Sequence, residues 1–450
     1  MLKRICMYNL FFLIATACSA NTTALPVQPA LKDTPTIAPT VAVTHVETPL
    51  HQDLIPTLQD PSISQKPINP LVIKVCPTQQ EVSLPELGLS PNDRLIVVSY
   101  DEPYIYSKGS LFTVKATDTT AQPINNTTPT KGELNRFSSV GVSPDGKWVL
   151  YERYHQPQDD ELTLWISSTD GQQHWELATT PLASRAEWVS NQEIIVTDYY
   201  NREPIIRIFP FSYRLEKLSH IQGLGKSLAY LVRDSNLYDA YYGVDVDATT
   251  GKFVAWFALY DYAAQSKQKI FQWMPTEESP GAGPLSSNLI PWGWDIWSTR
   301  NGFTIVVQKT YGFDLVSDLD FAAAAQPKAY TEVMKSVILP DGDADWGVIE
   351  SFPLLTDSFA FDRFYPKEPG SNKMKFHIFD YQHMVLKDYC LDRGNSAGGD
   401  FSPDERFFAW TVYEDQGNSK GKEVAVLNLE TGQVARFPHV KLIGWGVVDQ

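Results

Sequence analysis

Short apolar runs bounded by turn-forming residues recur along most of the chain. In the clearest unit, the run that ends at Tyr151 is followed, after polar gaps, by Leu162–Ser167 and by His174–Ala178. Each run is short, and it alternates in polarity or is rich in β-branched and aromatic residues, which is typical of strands. The pattern therefore predicts a series of short strands joined by turns.

A tight turn, Ser143-Pro-Asp-Gly146, opens this unit. Proline presets φ for the second turn position, aspartate bonds its own backbone, and glycine accepts the positive φ that follows. Related turns, Ser402-Pro-Asp-Glu405 and Ser90-Pro-Asn-Asp93, each precede another apolar run. The chain thus carries three specific copies of one repeat, in which a tight turn leads into a strand.

The spacing of these copies predicts how many repeats there are. Pro91 and Pro144 are 53 positions apart. Pro144 and Pro403 are 259 positions apart, which five steps divide into intervals of about 52, near the about 40 to 50 residues of a four-stranded blade. Four apolar runs without the turn lie in this interval: Glu193–Thr197, Gly251–Phe257, Gly302–Val307 and Asp357–Phe361. We therefore expect seven repeats.

The last apolar run, Leu442–Val448, begins a further repeat with nothing after it. Pairing such a strand with the first repeat closes a ring and removes the exposed edges of an open array of sheets. We predict an all-β fold over residues 76–450. Its architecture is a β-propeller of seven four-stranded blades, closed by the C-terminal strand.

The Ser-Pro-Asp-Gly turn, the two strands after it and the following Asp-Gly or Thr-Gly turn resemble the TolB-type, WD40-like (PD40) propeller repeat of bacterial envelope proteins. The resemblance covers roughly residues 76–450 and is specific at the copies that begin at 90, 143 and 402. It implies blades around a central channel and a role in binding proteins or ligands. Asp93 and Glu405 stand where the family has glycine, so no particular partner is carried over.

Composition narrows the classes of partner. Hydrophobic residues make up 43% of the chain, enough for a large core, and the 12% aromatic content favours sheets. The formal net charge is −16, and it becomes −18 when the segment containing Lys3 and Arg4 is removed. This acidity makes nucleic acid an unsuitable partner and opposes binding to an anionic lipid surface, so membrane attachment requires a covalent anchor.

The N-terminus has the layout of a secretory signal over residues 1–18. Lys3 and Arg4 precede the apolar stretch Leu10–Ile14, which is too short to span a bilayer. Small residues then lead to Cys18, which resembles a lipobox cysteine that becomes lipidated. Ala15 stands where a lipobox usually has leucine, and Ala15 with Ala17 equally suits an ordinary signal peptidase that would release the protein. We expect an exported chain held at the outer face of the membrane through Cys18, or otherwise secreted.

Residues 19–75 are rich in proline and threonine, which favours an extended, disordered tether. After lipidation of Cys18, the exported protein would keep Cys76 and Cys390 near the two ends of the folded region. They are candidates for one disulfide, and the alternative is two unpaired buried thiols.

The sequence contains no His-Glu-x-x-His zinc motif, and we assign no catalytic residue, metal ligand or cofactor. The acidic segments Asp245–Gly251 and Asp341–Asp345 lack the glycine and the terminal acid of a calcium loop and are interpreted as turns between strands.

Trp292, Trp294 and Trp297 are candidate ligand-binding residues because aromatic rings at a channel mouth can stack on a sugar or a peptide. The alternative is that they fill the space between blades. Taken together, these features predict a monomeric, membrane-tethered propeller that binds an envelope protein, peptide or glycan without catalysis. A second hypothesis is an envelope glycan hydrolase or lyase whose acidic residues lie in the channel, because carboxylates from different blades cannot be paired from sequence.

Overall fold

The computed structural model describes residues 67–448, all within the unit Leu58–Gln450, except for these gaps: 100–108, 116–119, 132, 156–160, 199–203, 219–225, 247, 250, 252, 274–293, 300–301, 310–311, 320–327, 330–334, 341–345, 354–357, 366–372, 394–395 and 414–420. Apart from two short 3-10 helices, Leu84–Leu87 and Asn125–Thr127, the regular structure of this part is β-strand.

The first half of the chain forms a lead-in strand and the first blades. The strands are β1 (Leu71–Lys74); in blade 1, β2 (Asp93–Ser99), β3 (Phe112–Lys115) and β4 (Gln122–Pro123); in blade 2, β5 (Glu133–Val142), β6 (Trp148–His155), β7 (Glu161–Ser168) and β8 (His174–Pro181); in blade 3, β9 (Ser184–Ser190), β10 (Glu193–Asp198), β11 (Pro204–Phe209) and β12 (Arg214–Lys217); in blade 4, β13 (Lys226–Arg233), β14 (Asn236–Val246), β15 (Phe253–Asp261) and β16 (Ser266–Trp273).

The second half completes the ring. The strands are, in blade 5, β17 (Trp294–Thr299), β18 (Gly302–Lys309), β19 (Gly312–Leu319) and β21 (Lys335–Ile338), with β20 (Lys328–Ala329) added to the sheet of blade 4; in blade 6, β22 (Trp346–Pro353), β23 (Ser358–Tyr365), β24 (Lys373–Asp380) and β25 (Val385–Asp392); in blade 7, β26 (Ser396–Phe401), β27 (Phe407–Tyr413), β28 (Gly421–Asn428) and β29 (Val434–Pro438); and the closing strand β30 (Val440–Val447).

The closing strand confirms the predicted ring of seven blades. β30 takes the innermost position of blade 1 and pairs antiparallel with β2, so that Trp445 lies opposite Leu95. The blade is therefore built from both ends of the folded region, which is how a propeller avoids an open edge.

The hydrophobic core lies between neighbouring blades, because each sheet presents alternate residues to the sheets on either side. At the contact of blades 5 and 6, Phe313 packs against Phe359 with ring centroids 5.2 Å apart. At the contact of blades 6 and 7, Phe376 stacks on Phe408 at 4.6 Å. Bulky aromatic side chains thus fill the wedge between sheets.

The Ser-Pro-Asp turns form as the sequence predicts. The Ser143 hydroxyl donates to Asp145 Oδ1 at 2.6 Å and accepts from the Trp148 amide at 3.0 Å. Ser402 makes the equivalent bonds to Asp404 and Phe407. Glu405 adopts φ +57° where the first of these turns has glycine, so this copy keeps the turn at the cost of a left-handed non-glycine residue.

Two boundaries differ from the sequence-based expectation. The apolar run Gly251–Phe257 is predicted as a copy of the strand that follows the Ser-Pro turn, which is the second strand of its blade. In blade 4 the second strand is instead β14, and this run overlaps the third strand, β15 (Phe253–Asp261). The long β14 contains Gly243 and five tyrosine or aspartate residues, which obscured its apolar pattern. In addition, the segment assigned to the tether includes β1, which pairs in parallel with β25 at the outer edge of blade 6.

Candidate functional site

One end of the ring carries the Ser-Pro turns and is called the Ser-Pro face. In each antiparallel blade the turn between the first two strands and the turn between the last two strands lie at the same end. In blade 2 the two turns touch, because the Thr169 amide donates to the Lys147 carbonyl at 3.0 Å. Side chains from both turns of a blade can therefore meet on this face.

Four aromatic side chains, which we call the aromatic cluster, meet where blades 2 and 3 adjoin on the Ser-Pro face. Trp148 lies 5.1 Å from both Trp175 and Phe211, measured between ring centroids. Trp175 lies 6.2 Å from Phe211 and 6.1 Å from Tyr213. The rings pack edge-to-face or tilted, with interplanar angles of 47° to 70°. This is the favourable arrangement for aromatic pairs.

The turns of both blades position these rings at the surface. Trp148 begins β6 directly after the Ser-Pro-Asp-Gly turn, and Trp175 is the second residue of β8. Phe211 and Tyr213 belong to the turn between β11 and β12, where Tyr213 has φ +53°. A left-handed backbone conformation is uncommon for tyrosine and costs free energy, so the rest of the turn must stabilise it.

The exposure of the cluster separates it from the aromatic residues of the core. Tyr213 is 76% exposed and Phe211 is 42% exposed, and the two tryptophans are half-buried beneath them. Exposed large apolar side chains that adjoin one another are the usual mark of a binding surface, whereas single ones are common.

Ion pairs neutralise much of the charge of blade 3 beside the cluster. Arg207 binds Glu193 at 2.6 Å and Glu216 at 3.7 Å. Arg214 lies 3.5 Å from Glu216 and places its guanidinium 3.8 Å from the Phe209 ring centroid. The rings therefore adjoin charges that already have partners.

A second feature lies at the inner wall, where the closing strand meets blade 7. The Trp445 amide donates to Asp400 Oδ2 at 3.1 Å, and its indole N–H donates to the Asp400 carbonyl at 2.8 Å. Gly444 allows this approach, because a Cβ there would lie 2.8 Å from Val142 of blade 2 and 3.0 Å from Asp400 Oδ2. Burial raises the pKa of Asp400 to about 6, and the Trp445 and Phe401 amides partly offset that rise.

The structure places two of the three tryptophans selected from the sequence on one strand. Trp292 lies outside the described residues, and Trp294 and Trp297 belong to β17, the innermost strand of blade 5. They thus remain candidate ligand-binding residues on a strand that borders the channel. Cys18 also lies outside the described residues.

Cys76 and Cys390 come together as a disulfide with Cα atoms 5.5 Å apart. The bond joins the chain just after β1 to β25, and both cysteines are exposed. Cys390 has φ +52°, and its amide donates to Asp388 Oδ1 at 2.9 Å.

Of the two acidic segments interpreted as turns, only part of Asp245–Gly251 belongs to the described residues. Asp245 accepts a bond from Lys269 Nζ at 2.6 Å, and Asp341–Asp345 lie in a gap. Across the described ranges no group of three or more His, Cys, Asp or Glu side chains is placed to hold a metal. Within the same ranges no helix is long and apolar enough to cross a membrane.

Sequence reasoning missed the aromatic cluster, because its four rings come from three separate turns on two blades. The available signal was that Trp148 and Trp175 each follow a polar turn directly, in Gly-Lys-Trp and Gln-His-Trp. Residues at the start of a strand lie near the surface of the ring, so large rings there are candidates for exposure.

Comparison with solved structures finds chains of similar fold, one of which is a β-propeller domain. An oligogalacturonate lyase in complex with manganese is 8% identical, with 78% of this chain and 86% of that chain covered and a TM-score of 0.48. The β-propeller domain of the Trilobed protease from Pyrococcus furiosus is 9% identical, with 80% and 97% covered and a TM-score of 0.47. TolB from Acinetobacter baumannii is 13% identical, with 72% and 84% covered and a TM-score of 0.39.

These similarities concern the fold and carry no information on activity. No family model matches the chain, and a search of curated proteins found no match.

Proposed function

We propose that this propeller is a monomeric binding module of the cell envelope, which engages a protein, peptide or glycan through the aromatic cluster and catalyses no reaction. The observation that carries the proposal is the exposure of Tyr213 and Phe211 above two half-buried tryptophans. Aromatic anchors of this kind dominate the binding energy of recognition surfaces.

The proposal includes export and tethering. Residues 1–18 would act as the signal, Cys18 as the lipid anchor, and the proline-rich segment before β1 as the tether of the domain at the outer face of the membrane. Cell fractionation of the native chain and of Cys18→Ser tests the anchor. Only the native protein should stay with the membrane.

The binding role is tested by capturing ligands from an envelope extract with the purified protein, in its native form and as Tyr213→Ala. The matched control is Val246→Ala, which truncates another exposed apolar residue, 58% exposed, on β14 of blade 4. We expect Tyr213→Ala to lose the captured component and Val246→Ala to keep it. Equal capture by all three proteins would rule out a role for the cluster.

Asp400 supports the alternative of a glycan hydrolase or lyase. A carboxyl group at the inner wall with a pKa near 6 is suited to proton transfer near neutral pH. Turnover of an envelope glycan that Asp400→Asn abolishes, and that Tyr213→Ala leaves unchanged, would favour the enzyme over the binding module.

A further inference from the structure

Polar turn residues surround every ring of the aromatic cluster. Lys147 precedes Trp148, the exposed Gln172, Gln173 and His174 precede Trp175, and the exposed Ser212 separates Phe211 from Tyr213. The turns around the rings therefore supply amide, ammonium and hydroxyl groups, whereas the His174 imidazole stacks on Trp165. Small-molecule sites combine apolar or aromatic walls with a few hydrogen-bonding groups in this way.

This composition suits a sugar better than an apolar protein segment. A pyranose ring has one face of C–H groups that stacks on an aromatic ring and a rim of hydroxyls that needs hydrogen-bond partners. A docking site for a helix or an apolar strand would instead bury a continuous aliphatic floor. Tyr213 and Phe211 are the exposed rings of the cluster, so they are the ones on which a sugar can stack.

Charge decides which class of glycan fits. The chain has a formal net charge of −16, and Asp170 is exposed in the turn that precedes the strand of Trp175. A polyuronate or another polyanion would be repelled by this net negative charge, and ring stacking would have to overcome that repulsion. An uncharged chain meets none.

We propose that the aromatic cluster binds a neutral polysaccharide chain, with Tyr213 and Phe211 as stacking platforms and the flanking turns as hydrogen-bonding partners. This inference rests on the proposed function and names its ligand class.

The test is calorimetric titration of the purified protein with hexasaccharides of defined chemistry: cellohexaose, xylohexaose and N-acetylated chitohexaose as neutral probes, and hexagalacturonate as the anionic probe. We expect at least one neutral probe to bind and hexagalacturonate to bind at least about tenfold more weakly, a difference of about 1.4 kcal/mol. Because stacking is not ionic, moderate salt should leave the neutral affinity unchanged.

Three variants separate ring stacking from general hydrophobic contact. Tyr213→Ala should weaken binding of the neutral probe at least about tenfold, whereas Tyr213→Phe, which keeps the ring, should stay within about threefold of the native affinity. Leu215→Ala removes an aliphatic side chain that is 51% exposed in the same hairpin, and it should leave binding unchanged.

Each outcome separates the glycan inference from the proposed function. Tighter binding of hexagalacturonate, or an equal loss for Leu215→Ala and Tyr213→Ala, overturns the neutral-glycan inference. If no hexasaccharide binds while envelope capture still depends on Tyr213, the binding module stands and its ligand is not a neutral glycan. If capture does not depend on Tyr213 either, the proposed function fails as well.

Discussion

The carboxyl group of Asp400 contacts the closing strand, and its ionisation makes the stability of the folded ring depend on pH. Its carboxyl group accepts the Trp445 amide across the seam between blade 7 and the closing strand, and Gly444 leaves room for the contact. Burial still outweighs that hydrogen bond, so the protonated form is favoured and the pKa rises from 3.8 to about 6.

The raised pKa predicts a stability that falls as the pH rises. In the unfolded chain Asp400 ionises near pH 4. In the folded chain it ionises only near pH 6, so ionisation disfavours folding above pH 4, by an amount that levels off above pH 6 at about 3 kcal/mol. Asp400→Asn should remove this loss, because asparagine does not ionise. The free energy of unfolding of the variant minus that of the native protein should therefore be larger at pH 7.5 than at pH 4.

Urea unfolding of both proteins at these two pH values measures the difference. Because asparagine keeps an oxygen that can accept the Trp445 amide, the variant tests the charge and not the hydrogen bond. The assignment is wrong if the stability difference between the two proteins is the same at both pH values.

At the scale of a residue, the sequence predicts hydrogen bonds between residues that are close in the chain. It does not predict contacts between residues that are distant in the chain. The bonds of Ser143 and Asp145 follow from turn preferences within six residues. The environment of Asp400 depends on Trp445, which belongs to the closing strand in the sheet of blade 1, so no local pattern indicates its burial.

At the scale of an element, β1 is the clearest addition to the expected domain. The Leu71 and Val75 amides donate to the Met384 and Asp388 carbonyls at 2.9 and 2.8 Å, which extends blade 6 by a fifth strand. Leu71 is 65% exposed and Ile73 is 43% exposed, so packing alone holds this strand weakly. The neighbouring prolines kept this strand from being predicted. The disulfide joins the chain just after β1 to β25 and so attaches β1 covalently to blade 6.

The disulfide is therefore expected to stabilise β1 and the whole domain. It joins residues separated by 314 positions, and closing a long loop of this kind lowers the entropy of the unfolded chain by an amount worth about 5 kcal/mol. The double variant Cys76→Ser with Cys390→Ser should unfold at lower denaturant concentration than the native protein. Its Leu71 and Val75 amides should also exchange hydrogen faster.

Reduction of the native protein serves as the control, because it should reproduce both changes without a substitution. Unchanged exchange at Leu71 and Val75 in the double variant would mean that hydrogen bonding to β25 suffices to hold β1 in place.

At the scale of the molecule, repetition made the ring predictable. One directly observed interval of 53 positions and one leftover apolar run were enough to give seven blades and the closing strand. The unequal lengths of the strands in blade 4 were not predictable in this way, because β14 has 11 residues and carries polar side chains at many positions. The aromatic cluster was not predictable either, since it depends on how two blades are placed side by side.

Ring closure is tested by comparing two tryptophans that are each 1% exposed: Trp445 on the closing strand and Trp410 on β27 of blade 7. Replacing either by alanine leaves a cavity that should destabilise the domain by about 3 to 5 kcal/mol. Only Trp445→Ala also removes the indole bond to Asp400 at the seam. We therefore expect this variant alone to accelerate hydrogen exchange in Asp93–Ser99, the strand that pairs with β30. If hydrogen exchange in Asp93–Ser99 were accelerated equally in both variants, the Trp445 contact would have no specific role in closing the ring.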